Sequence, residues 1–278
     1  MKRELNFLGS CLVLLSCAVF FTITTASLLY ANGYDELPPL HDQEDSDWSV
    51  SLGLGFAVAP EFEGSDKYKT QAVPLINIEY KDRFFLSSLD GAVGVYLFRE
   101  PLWNMGLALG YNQGRKEKDS DLLKGMGNVD GAAEVKVFAE WTPDIPFSAK
   151  LELAKGTGDI NGFTATATLG HNTALSESLN WGNSISSTYS DSDYNKVFFG
   201  ITEKQSRGSK RRYEQYTPGS GIKDVAYSTS LVYTVSDHWT AMVIGQYKRL
   251  TGPAADSPLV KAGSKNQAAG GLGASYTF

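Results

Sequence analysis

The feature that most constrains this chain is a two-residue alternation that recurs along most of its length. From 48 to 58, Trp48, Val50, Leu52, Leu54, Phe56 and Val58 alternate with Ser49, Ser51, Gly53, Gly55 and Ala57. Successive side chains of a strand point to opposite faces, so this segment has one large apolar face and one face of small residues. A strand of a soluble sandwich also alternates, but its second face is charged. Small residues instead suit a strand with lipid on one side and a crowded lumen on the other. The pattern returns at Trp103, Met105, Leu107, Leu109 and Tyr111, at Phe147, Ala149, Leu151 and Leu153, and at Val225, Tyr227, Thr229, Leu231, Tyr233 and Val235. Beyond the first thirty residues or so, no run approaches the ~18 apolar residues of a membrane-spanning helix. Lipid offers no partner to an open strand edge, so the strands must close on themselves.

The expected fold is therefore all-β, a closed antiparallel transmembrane barrel. Strands are expected at 48–58, 70–80, 83–89, 91–98, 102–112, 132–142, 145–155, 163–173, 177–189, 224–236, 238–248 and 268–278. Bacterial barrels have even strand numbers, short periplasmic turns and long outer loops. Twelve strands meet that rule: Lys81-Asp82, Asp90-Gly91, Thr142-Pro143-Asp144 and Asp237-His238 make short connections, and 59–69, 113–131, 190–223 and 249–267 fall together outside. Aromatic residues near strand ends (Trp48, Tyr80, Trp103, Tyr111, Trp141, Trp239, Tyr276) fit interfacial girdles. The strand-like Val197-Phe198-Phe199-Gly200-Ile201 falls in a loop, either as a short outer hairpin or packed into the barrel mouth.

The start of the chain reads as an export signal over 1–26. Lys2 and Arg3 precede an apolar stretch from Leu5 to Phe21, and Thr24-Thr25-Ala26 is a small-residue cleavage pattern, with Ala31 an alternative site. Both cysteines, Cys11 and Cys17, lie inside it. Its removal deletes two cations and one anion, taking the net charge from −6 to −7, an acidity that speaks against nucleic acid as a partner. Residues 27–47 carry Asp35, Glu36, Asp42, Glu44, Asp45 and Asp47 with Pro38 and Pro39 and lack periodicity. They read as an acidic, disordered periplasmic arm ahead of a barrel at 48–278. At the other end, Gly273, Tyr276 and Phe278 form a Gly-x-x-aromatic-x-aromatic ending. It resembles the signal by which the assembly machinery recognises outer-membrane barrels, although Leu272 replaces the usual polar residue.

No catalytic constellation emerges. His41 lies in the acidic arm, His238 in a turn, and His171 out of phase with Thr164, Thr166 and Thr168, so it points outward. None faces a nucleophile, and their scatter does not suit zinc; no metal or cofactor is expected. The inward phase is richer. Glu134, Lys136 and Glu140 share one strand and Lys150 and Glu152 the next, with Glu79 and Lys248 elsewhere. These charges belong in the lumen, paired or hydrated, either as a pore lining or as salt bridges plugging a narrow barrel. Lys204, Arg207, Lys210, Arg211 and Arg212 cluster in the longest loop. There they either bind lipopolysaccharide phosphates through charge-assisted hydrogen bonds or are simply solvated.

Several strings also resemble the MipA/OmpV outer-membrane proteins. They are Ala59-Pro60-Glu61-Phe62-Glu63-Gly64-Ser65-Asp66, Arg83-Phe84-Phe85, Gly110-Tyr111 with Gly114-Arg115, and Leu123-Lys124-Gly125-Met126-Gly127-Asn128-Val129-Asp130. Tyr194 with Phe199-Gly200-Ile201, His238-Trp239 and Ala255-Asp256-Ser257-Pro258-Leu259-Val260 continue the order. The resemblance implies an outer-membrane barrel embedded in lipid and lipopolysaccharide. It implies no catalytic residues. Its best-known members look like scaffolds that join a lytic murein transglycosylase to a murein synthase, and others are similar to adhesins or are linked to permeability. The leading expectation is thus a non-enzymatic scaffold for peptidoglycan-remodelling enzymes. The alternatives are a narrow diffusion channel and a surface adhesin built on 113–131 and 190–223.

Overall fold

The computed structural model describes residues 46–278. The expected export signal with its cysteines, His41 and all of the expected acidic arm but Ser46 and Asp47 lie outside them. Twelve strands run in order: β1 Trp48–Pro60, β2 Tyr68–Tyr80, β3 Phe84–Ser87, β4 Ala92–Glu100, β5 Trp103–Asn112, β6 Ala132–Trp141, β7 Phe147–Gly156, β8 Phe163–Ala174, β9 Leu179–Ser190, β10 Gly221–Thr234, β11 Trp239–Leu250 and β12 Asn266–Thr277. Each pairs antiparallel with its sequence neighbours, and β12 returns to β1 through Ser51↔Thr277 to Val58↔Gly270, closing the barrel. Closure follows from the cost of an unpaired edge in lipid.

The alternation sorts side chains as anticipated. Leu54, Phe56, Leu109, Leu231 and Val243 point outward to lipid, while Ser51, Ala57, Ala108, Ser228 and Ser230 are buried in the lumen. Ring crowding explains small inward residues: a Cβ on Gly106 would stand 2.6 Å from the Phe138 ring, which packs with Phe85 and Tyr96 inside the wall. A second lumenal cluster, Ala57, Val73, Leu75, Val232, Met242 and Ile244, fills the opposite side, with Leu89 against it.

Apart from the β3–β4 hairpin turn, which sits partway up the wall on the other side, the short connections lie at one end. Between β2 and β3, Lys81 and Asp82 both take positive φ (53° and 48°), and the Arg83 N–H donates to Tyr80 O at 3.1 Å. Two left-handed residues in a row mark a primed turn, whose twist matches the strands it joins. The long connections gather at the other end and carry the helices: α1 Ser192–Phe199, α2 Glu203–Gly208, α3 Gly252–Ala255 and α4 Pro258–Ala262.

Two details differ from the sequence reading. The expected strand at 83–89 shrinks to four residues, because Ser87 and Ser88 already turn the chain back. The 197–201 segment forms no hairpin. Asp191 caps α1 by accepting from the Tyr194 N–H at 2.8 Å, and the helix carries Phe198 and Phe199 into the mouth, the second of the two alternatives.

Candidate functional site in the lumen and its cap

The lumen charges read from the alternation all sit on inward positions, and strand pairing brings most of them together. Lys136 and Glu140 are almost fully buried. Lys136 Nζ lies 3.7 Å from Glu152 Oε1, and Glu140 stands directly across the ladder from Lys150. Lys150 Nζ also lies 5.6 Å from the Phe138 ring centre. Glu134 accepts from Asn112 Nδ2 at 3.0 Å. Glu79 stands apart from this group, facing Arg99 Nη1 at 3.4 Å.

A second group forms around Lys248, and its other members, Glu63, Lys223 and Asp224, were not among the lumen charges read from the sequence. The β9–β10 register slips between Ile222 and Asp224. Such a bulge re-aims a side chain, and here Lys223 and Asp224 are both buried inside. Lys223 Nζ reaches Asp224 Oδ2 at 2.5 Å and Glu63 Oε1 at 2.8 Å; Lys248 Nζ is 3.7 Å from the same Glu63 oxygen. Glu63 belongs to the β1–β2 loop, so the network ties that loop to the wall of β10 and β11. Above it, the Tyr194 ring of α1 lies 5.7 Å from Lys223 Nζ, and burial pushes its phenol above the ordinary range.

The outer loops pack into a cap with two apolar cores. One joins Phe62, Leu122, Leu123, Met126, Ile201, Tyr213 and Leu259. The other joins Ala132, Ile160, Phe198, Phe199, Leu250, Ala254 and Val260. Side chain to backbone bonds pin them: Tyr213 Oη donates to Leu122 O at 3.1 Å, Ser257 Oγ to Phe199 O at 2.7 Å, and Tyr216 Oη to Pro253 O at 2.8 Å. Arg115 is buried here as well, donating from Nη1 to Phe198 O at 2.6 Å, and burial lowers its pKa to about 10. The Gly-Arg string of the sequence is thus a cap anchor.

The five basic residues of the longest loop are all exposed on this cap. Arg207 pairs with Glu203 on α2, and the Lys210 N–H donates to Lys124 O at 2.9 Å. Lys204, Lys210, Arg211 and Arg212 face solvent.

At the closing strand, Tyr276 contacts Trp239, His238 and Phe278, with ring centres 5.0–5.3 Å apart. Gly273 lies under Leu75, whose Cδ1 would be 2.7 Å from an added Cβ. His171 packs against Phe147 on the outside of the barrel. Among the described residues, no group of three or more His, Cys, Asp or Glu side chains has the geometry to hold a metal.

Residues 52–278 match the family described as MltA-interacting protein MipA. Two outer-membrane proteins are similar over 170 residues at 25% identity: OmpV of Vibrio cholerae serotype O1 and Omp26La of Vibrio anguillarum. The alignment takes in 56% of this chain and 64% of each relative, so the chain spans less than two thirds of either relative's length. Among solved barrels, the fold is similar to a NanC porin (TM-score 0.42, 8% identity, 82% of this chain and 98% of that one). It is also similar to a bacterial polysaccharide outer membrane secretin (TM-score 0.46, 9% identity, 84% and 99%).

Proposed function

Since this chain belongs to the MltA-interacting protein MipA family, an outer-membrane barrel in fold and location, we propose that it acts as a non-enzymatic scaffold for peptidoglycan-remodelling enzymes. The observation that carries this reading is the closure of the lumen. Two apolar cores cover the outer mouth, and ion pairs and rings fill the space below. A barrel so filled has little use as a conduit, which leaves its rims as working surfaces. The inner rim is built of short turns that expose Leu102, Ile145, Leu175 and Val235, a firm and partly apolar platform for a periplasmic enzyme. The partners proposed are a lytic murein transglycosylase and a murein synthase, the first in keeping with the family's description. The acidic segment 32–47 would add a second, charged contact.

Pull-down from envelope extracts tests this, using the full chain, a chain without residues 32–47, and a Leu175→Asp/Val235→Asp rim variant. Capture of a murein transglycosylase by the full chain, weakened in the rim variant, is the expected result. Failure of every chain to capture a murein enzyme defeats the proposal.

A second role on the opposite face is favoured by the exposed cations of the cap. Lys204, Arg207, Lys210, Arg211 and Arg212 are proposed to contact lipopolysaccharide phosphates, which suit arginine's planar donors. Changing all five to Gln should abolish salt-sensitive retention of the protein on lipopolysaccharide vesicles while leaving the barrel folded; unchanged retention removes this role.

A further inference from the structure

The wall of the barrel has a notch. β2 pairs with β1 along its whole length, Tyr68 to Tyr80, but with β3 only from Asn77 to Tyr80. The hairpin tip adds one more step: the Ser88 N–H donates to Ile76 O and the Ile76 N–H to Ser88 Oγ, both at 2.8 Å. Backbone groups alternate sides along a strand, so Pro74, Ala72 and Thr70 turn theirs the same way as Ile76. Among the described residues no strand lies beside them on that side, over roughly 13 Å from Thr70 to Pro74 at the usual rise per residue. Pro74 fits this placement, because a residue without an N–H is tolerated at a sheet edge and not inside a ladder. Across the notch, β4 meets β5 no higher than Ala92↔Gly110.

At the foot of the notch, behind the hairpin tip, lies a cavity of about 40 Å³. Its near side is the hairpin tip and the β2 edge (Ser87, Leu89, Ile76, Leu75), and its far side is Val232, Met242 and Ile244. The lining is apolar except for a few hydroxyl and amide groups, and the hydroxyls of Ser230 and Ser275 there have no partner. Outside, lipid-facing Val93 and Leu109 lie at the foot of the notch and the interfacial Tyr111 beside its opening, so the molecule that stands at its entrance is a membrane lipid.

We propose that this notch is a lateral portal through which the acyl chain of a membrane lipid enters the lumen. The cavity, room for about three waters, takes the end of a chain rather than all of it. Edge amides left unpaired in lipid are costly, and the N–H groups of Ala72 and Thr70 offer bonds to the ester or amide linkages nearer the headgroup. The portal is independent of the scaffold role, since it uses the wall and not the rims.

The test is photolabelling of the full mature chain in phosphatidylethanolamine/phosphatidylglycerol vesicles that contain a phospholipid with a diazirine at its acyl terminus. Adducts are then mapped by mass spectrometry. Lumenal adducts on Leu75, Leu89, Val232, Met242 or Ile244 are expected, with their loss in a Met242→Trp variant that fills the cavity. Adducts confined to outward residues such as Leu231, Val243 and Leu272 overturn the proposal, as do lumenal adducts that persist undiminished in the filled variant. An Ala72→Cys chain, free of other cysteines once residues 1–26 are gone, is expected to stay monomeric in the same vesicles. A disulfide dimer there would mean that the β2 edge pairs with a second copy instead, and would also overturn the portal.

Discussion

Lys223 stands almost fully buried between two carboxylates and within reach of an aromatic face. A buried pair is not in itself a large source of stability, because desolvation offsets most of the attraction; removing one partner is what costs. Lys223→Met leaves buried Asp224 without its close cation, with only Lys248 still near Glu63, and should destabilise the folded protein by about 3–5 kcal/mol, read as a lower urea midpoint of the tryptophan emission transition in micelles. Gly53 is a second sensitive residue: an added Cβ would lie 2.2 Å from Ala274 O across the closing seam. Gly53→Ala should cost about 1–3 kcal/mol through forced backbone shifts, on the same assay. Legibility differed sharply among lumen residues. Glu134, Lys136, Glu140, Lys150 and Glu152 were visible because regular strands carry their phase from one end to the other. Lys223 was hidden by a bulge, and Glu63 and Arg115 by lying in loops, where no period says which way a side chain turns. Asp224 was legible in principle, since it shares the phase of Ala226, Ser228 and Ser230.

At the scale of elements, the strands were readable because period two is a local signal, whereas the cap was not. Phe198 and Phe199 sit in an apolar string that fits a strand and a helix equally well over so short a run. What decides for the helix is the Asp191 cap and burial against residues such as Ile160 and Leu250, which are distant in sequence. Phe199 is fully buried. Phe199→Ala should therefore loosen the cap by about 3–5 kcal/mol without opening the barrel ladder. Limited trypsin digestion should then cut within 203–212 in the variant and spare the parent, and equal resistance would show that Phe199 does not hold the cap. The β2–β3 turn gives a prediction of opposite sign. Lys81 holds φ 53° at a cost of about 1 kcal/mol that glycine avoids. The ion pair it would lose, to Asp47 at 3.4 Å, is exposed at both ends and adds little. Lys81→Gly should raise the urea midpoint.

For the whole molecule, closure of the sheet and closure of the lumen have different causes. The sheet closes because lipid leaves no alternative, and that much follows from the alternation alone. The outer mouth is covered because the loops, with helices α1 to α4 in two of them, converge on one end; Glu63 and the second apolar core tie them to the wall, and Arg115 ties its own loop to α1. That convergence depends on contacts such as Lys223 to Glu63, 160 residues apart in sequence. No local period in the sequence reports a contact of that span, which is why the cap was not legible there. A scaffold of this kind is a barrel that spans the membrane and conducts nothing. Single-channel recording in planar bilayers, with protein whose folding is verified by heat-modifiable mobility, tests this most directly. A flat baseline across both voltage polarities is the predicted result; steady, reproducible conductance steps from the unmodified chain would contradict it.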